Sequence, residues 1–140
     1  MGALKGFMEQ TLVILKPDAV RRRLAGEIIL RLERKELSIT DAKVLTIDPK
    51  TAEEHYRHVA HLPFFADIIR YMTSGPSIAL VLSGENAVSI VRGMIGKANA
   101  LESPPGSIRG DFGICAGENL IHASDSAENA ALEIKRFFHN

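Results

Sequence analysis

The chain has 140 residues, with Lys and Arg matching Asp and Glu at 17 each and a formal net charge of zero. That length fits one domain able to bury its own core, and the charge balance speaks against a general binder of nucleic acid or membrane surfaces, which carries a basic excess. The lone cysteine, Cys115, excludes an internal disulfide and a cysteine-rich metal site and fits a reducing compartment such as the cytoplasm, while no apolar run approaches the roughly 20 residues of a membrane-spanning helix.

Residues 1–8 are expected to be a disordered extension of a single domain spanning 1–140. The continuous apolar run 11–15 predicts a buried strand that stops at Lys16-Pro17, and Pro17 with Asp18 suits a first helical turn. Leu24, Ile28, Ile29 and Leu32 recur at helical spacing, and the β-branched stretch 39–47 predicts a second strand. Thr51 and Glu54 read as a capping box that opens a helix with Ala52, Tyr56 and Val59 on its apolar face. Pro63 restarts the chain into an amphipathic helix carrying Phe64, Phe65, Ile68, Ile69 and Met72, which Ser74-Gly75-Pro76 breaks. Residues 78–82 predict a third strand, and Val88, Val91 and Ile95 a further helix. The stretch 98–113 lacks periodicity and holds Pro104, Pro105, Gly106, Gly110 and Gly113, so it reads as a long functional loop. A short strand around 119–122 leads to the last helix, with Asp125 and Glu128 at its cap and Ala127, Ala130, Ala131, Ile134 and Phe138 as its buried face. This alternation predicts an α+β sheet covered by helices, as in the split βαβ arrangement, with strand order left open.

Residues with phosphate-binding or reactive potential fall near element ends: Lys16, Arg92, Arg109 and His122. Taken singly, the three cations read as solvated or ion-paired side chains. His55, His58, His61 and His139 read as ordinary surface or core histidines. There is no Walker-A loop, no G-x-G-x-x-G and no metal-cage spacing.

Five segments, taken together, resemble nucleoside diphosphate kinases in order and spacing. They are Leu15-Lys16-Pro17-Asp18-Ala19-Val20, Pro63-Phe64-Phe65, Ser74-Gly75-Pro76, Gly106-Ser107-Ile108-Arg109-Gly110-Asp111 and Asn119-Leu120-Ile121-His122-Ala123-Ser124-Asp125-Ser126. The resemblance implies a ferredoxin-like sandwich with a four-stranded antiparallel sheet. It also implies ping-pong transfer of the γ-phosphate of ATP to a nucleoside diphosphate through a phosphohistidine on His122. It carries the phosphate contacts to Lys16, Tyr56, Arg92, Arg109 and Asn119, the base-stacking ring to Phe64 with Ile68 beside it, and the support of the histidine to Ser124 and Glu133. Mg²⁺ is implied as cofactor, held mainly by nucleotide phosphates rather than by a protein cage. A homo-oligomer built on a dimer, tetramer or hexamer, is implied as well, with nucleoside di- and triphosphates as partners and no membrane or specific nucleic acid.

The chemistry accepts this assignment. A free imidazole is mostly uncharged and nucleophilic at neutral pH, and one ring nitrogen must face the phosphate while the other is held. Which nitrogen does which stays open. The sequence departs from the family pattern at Ala98, where many members have a phosphate-contacting Thr. That loss is worth about 0.5–1.5 kcal/mol for an ordinary hydrogen bond, and Lys97 is a candidate to compensate by charge. Ala100 replaces a proline, and Ala123 a commoner glycine. A regulatory, non-catalytic member and an RNA-binding module of the same fold are the competing readings. The retained His122, Lys16, Arg92, Arg109, Asn119 and Glu133 weigh against the first, and the zero net charge against the second.

Overall fold

The computed structural model describes residues 8–139. The extension expected at 1–8 lies outside these, except Met8, which opens β1 (Met8–Leu15). β3 (Ser77–Glu85) runs antiparallel to β1, with Leu12 opposite Val81, and β4 (Ile121–Ala123) lines the other edge of β1, with Ile14 opposite His122. β2 (Ser38–Leu45) pairs with β3 through a register shift between Ile39 and Asp41. The order β2-β3-β1-β4, all antiparallel, is the expected ferredoxin-like sheet.

Why 11–15 reads as one apolar run is plain from its two faces. Val13 and Leu15 pack with Leu80, Leu82, Ile121 and Ala123 on one side, under α2 (Ala25–Glu33) and α5 (Ala87–Ile95). Leu12 and Ile14 pack with Val81 on the other, under α3 (Pro49–His55), α4 (Phe65–Met72) and α7 (Ala127–Phe138). A strand buried on both faces loses its polar alternation. By the same two-residue period, Lys16 and His122 fall on the face of Leu12 and Ile14, towards α3 and α7.

Two cap assignments need correction. Asp48 accepts the Thr51 N–H at 2.7 Å and Pro49 takes the first helical position, so α3 begins ahead of the predicted capping box. Asp-Pro fills both the cap and the first turn, and leaves Thr51 the donor rather than the cap. In α7 the cap is Ser126, which accepts from Asn129 N–H at 3.0 Å, while Asp125 holds the Asn129 side chain. The buried stripe of α7 is Ala130, Ile134 and Phe137; Ala127 and Ala131 face outward. Nor is 98–113 a structureless loop: a 3₁₀ turn covers Ala100–Glu102, and α6 (Ile108–Phe112) follows, capped by Ser107. Gly110 is required there, since a Cβ on it would lie 2.0 Å from the Pro104 carbonyl oxygen. α1 (Pro17–Arg21) starts on Pro17 as the sequence implied.

Candidate active site

His122 sits in the middle of β4, with its neighbours Ile121 and Ala123 buried on the opposite face. Its ring is held from α7: Nε2 lies 3.0 Å from Glu133 Oε1, and Ser124 Oγ donates to the same oxygen at 2.6 Å. Burial pushes the Glu133 carboxyl up, but the hydrogen bonds from His122 and Ser124 and the charge of His122 outweigh it, and its pKa ends below the ordinary value. A carboxylate only accepts, so Nε2 carries the proton and Nδ1 keeps the lone pair. Ser124 is itself fully buried, and its Oγ accepts the Leu12 N–H at 3.1 Å.

A frame of cations surrounds the ring. Lys16 follows β1 and donates from Nζ to Asn119 Oδ1 at 2.6 Å, and the Asn119 amide donates to the Ala98 carbonyl at 2.9 Å. Burial, and then repulsion from Arg109, push Lys16 down to about 7, against the pull of Asp18. Arg109, 6% exposed, is no solvated loop cation: it donates to the carbonyls of Asn119, Gly96 and Ile121. Burial and the nearby Arg92 hold it down to about 10. Those bonds leave two of its five N–H groups for a ligand. Arg92 reaches from α5 to the Ala123 carbonyl at 3.3 Å.

Two adjoining hollows share Tyr56. The first, 760 Å³, is lined by His122, Glu133, Arg92, Arg57, Asp125 and Arg136 among others. The second, 640 Å³, is lined by Lys16, Phe64, Ile68, Tyr71, Ala98, Gly117 and Asn119. The Tyr56 hydroxyl is buried and has no hydrogen-bond partner among the described residues, and burial together with Glu133 raises its pKa, so it stays a donor. Phe64 is 48% exposed at the start of α4 with Ile68 one turn on, an open aromatic face in the second hollow. Polar groups able to grip phosphate thus run from the first hollow into the second, where Lys16 and Asn119 meet the apolar Phe64 and Ile68 able to hold a base. Lys97 is exposed and lines neither hollow, so nothing in the structure has it replace the hydroxyl missing at Ala98.

The residue that sequence reasoning passed over is His55. It is 6% exposed, edge-on to His122 with ring centroids 4.5 Å apart, and Arg136 donates to its Nδ1 at 2.9 Å. Its only sequence signal is an apolar-face position in α3. Burial, then the charge of His122, push it down to about 3. His55, His122 and Glu133 bring three possible metal donors within 4.8 Å of one another. That trio is nitrogen-rich and already hydrogen-bonded, unlike the oxygen cage that Mg²⁺ selects. No helix among the described residues is long and apolar enough to cross a membrane.

A family model described as Nucleoside diphosphate kinase matches residues 9–140. The nucleoside diphosphate kinase of Acetivibrio thermocellus is 55% identical over 131 residues, which are 94% of this chain and 96% of that protein. That of Archaeoglobus fulgidus is 50% identical over 94% of this chain and 87% of its own length. Among solved structures, the Halobacterium salinarum enzyme in complex with CDP superposes with a TM-score of 0.92 at 41% identity, covering 96% of this chain and 90% of that one. The Encephalitozoon cuniculi enzyme, in its apo form, gives 0.92 at 42%, covering 94% and 90%. Likeness of this depth, over a site built around a carboxylate-held histidine, makes the chain a phosphotransferase of the nucleoside diphosphate kinase family.

Proposed function

We propose that the transfer runs through Nδ1 of His122. The supporting observation is the hold of Glu133 and Ser124 on the other side of the ring: with Nε2–H spent on the carboxylate, Nδ1 is the nitrogen left with a lone pair. That lone pair forms the N–P bond as the bond from phosphorus to the β,γ-bridging oxygen breaks, and the nucleoside diphosphate leaves with the bridging electrons. The phosphorylated ring carries positive charge, which the Glu133 carboxylate offsets. A second diphosphate then takes the phosphoryl group by the reverse steps. Charge spread over the transferring group is met by Lys16, Arg92 and Arg109, by the Tyr56 hydroxyl and by the Asn119 amide.

Phe64 and Ile68 offer the base a stacking face without reading its edges, which predicts broad nucleotide use. The Halobacterium salinarum relative binds CDP, and this chain is assigned nucleoside di- and triphosphates by likeness. A divalent cation belongs to the reaction, and we assign it as Mg²⁺ riding on phosphate oxygens and water. When bound it screens the polyphosphate charge, and it needs no protein cage. The same reading covers one domain, a cytoplasmic location and a homo-oligomer built from dimers. The test is incubation with γ-labelled ATP and Mg²⁺, intact mass, and a chase with GDP. An acid-labile phosphate that GDP removes supports the relay, and His122→Ala with wild-type turnover would sink it.

A further inference from the structure

Arg136 belongs to no motif considered above, yet its guanidinium reaches the buried centre of the site. It stands on α7 one turn beyond Glu133. Its NH1 group lies 2.9 Å from His55 Nδ1, and its Nε lies 3.5 Å from a carboxylate oxygen of Glu54. We propose that Arg136 is a positioning residue that holds His55 as a neutral hydrogen-bond acceptor and so keeps Glu133 committed to His122. The inference rests on the phosphohistidine reading above.

A guanidinium has no acceptor atom, so in this pair Arg136 must donate and His55 Nδ1 must carry the lone pair. The neutral ring then keeps its proton on Nε2. Protonating Nδ1 would set one N–H against another and break the bond. This matters because two imidazoles share one carboxylate. His122 Nε2 is 3.0 Å from Glu133 Oε1, and His55 Nδ1 is 4.0 Å from Glu133 Oε2. A charged His55 would draw Glu133 towards itself, away from His122 and Ser124, and the ring presenting Nδ1 to phosphate would lose its hold. Around His55 stand His122 from β4, Glu133 and Arg136 from α7, Lys16 from the end of β1, and Tyr56 next in the chain. Phe137 closes the apolar side, with ring centroids 5.3 Å apart. Of these groups only Glu133 favours charge on His55; burial, His122, Arg136 and Lys16 all oppose it. The same bond spends the His55 lone pair that a metal ion would need, so the trio works as a proton-ordering device.

The test uses the full chain, with ¹H–¹⁵N spectra of the histidine rings and the pH profile of phosphoenzyme formation, for wild type, R136M and R136K. In wild type, His55 Nδ1 stays unprotonated down to pH 5. In R136M, His55 titrates within the neutral to acid range, and the loss of phosphoenzyme rate deepens about tenfold from pH 8 to pH 6. R136K, which keeps a cationic donor, restores most of that loss at pH 6. A loss of equal size at every pH, or an R136M ring that stays unprotonated, overturns the proposal by reducing Arg136 to a packing role. The wild-type spectrum tests it without any variant, since a proton on His55 Nδ1 refutes it at once. A wild-type chain that forms no phosphoenzyme defeats the functional reading instead, and the ring spectra still decide what Arg136 does to His55.

Discussion

The hydroxyl of Ser124 accepts the buried Leu12 N–H at 3.1 Å while donating to Glu133 at 2.6 Å. Ser124→Ala therefore orphans a buried donor and loosens the carboxylate at once. We expect a stability loss of about 1–3 kcal/mol in urea unfolding, together with slower phosphoenzyme formation; a variant as stable as wild type would contradict the geometry. Lys16 supplies a second residue-scale prediction. Its folded pKa of about 7 lies below the ordinary 10.5, so between these values the unfolded chain binds a proton that the folded one lacks. For this group, stability of the ligand-free protein rises with pH through that window and the cost of the buried charge is fully present below it. A polyphosphate beside Nζ favours the charged form and raises the pKa again, so nucleotide binding at pH 8 should take up protons. Calorimetry in buffers of different ionisation heat measures this uptake, and none at all would separate Lys16 from the phosphates. Lys16 and His122 were legible because they stand in compact motifs. His55 and Arg136 were not, since they meet across 81 positions and neither carries a local signature.

At the scale of elements, the strands were readable where burial leaves a continuous apolar run, as in β1 and β3. Helix starts were harder, because Asp, Ser and Thr cluster ahead of α3 and α7 and several spacings satisfy the same rule. Which residue caps is decided by where the preceding strand delivers the chain. In α7 the choice is testable: Ser126→Ala should cost about 1 kcal/mol of unfolding free energy, whereas Glu128→Ala, which removes the carboxylate of the other cap, should cost clearly less. The reverse ranking would restore the cap assigned from sequence. The stretch 98–113 looked like a loop because its order comes from a short capped helix and from Arg109 binding three backbone carbonyls, features with no period. Leu120 escaped notice for a related reason. It holds φ at 73°, is fully buried, and its carbonyl takes the Lys16 N–H at 2.8 Å. A left-handed leucine costs about 1–2 kcal/mol, and here it turns the chain between Asn119 and His122 so that both meet the site.

For the molecule as a whole, the sheet is covered on both faces over β1 and β3, while β2 stands at an edge with every residue exposed or half-buried. Among the described residues β2 pairs with β3 alone, which leaves its other edge without a strand, and Val44 on it is 67% exposed. A long bare edge invites a further strand, which supports the proposed dimer-based assembly. Val44→Asp should shift the wild-type oligomer towards smaller species in sedimentation velocity, and an unchanged distribution would place the contact elsewhere. The tether between Glu133 and Nε2 of His122 reaches furthest. With one nitrogen spoken for, there is a single point of exchange, and giver and receiver must visit it in turn. The phosphorylated protein keeps no trace of which base brought the phosphate. Such a catalyst sets no direction of its own: it levels the ratio of triphosphate to diphosphate across every nucleotide that fits, so the most abundant pair dictates the charge state of all the others.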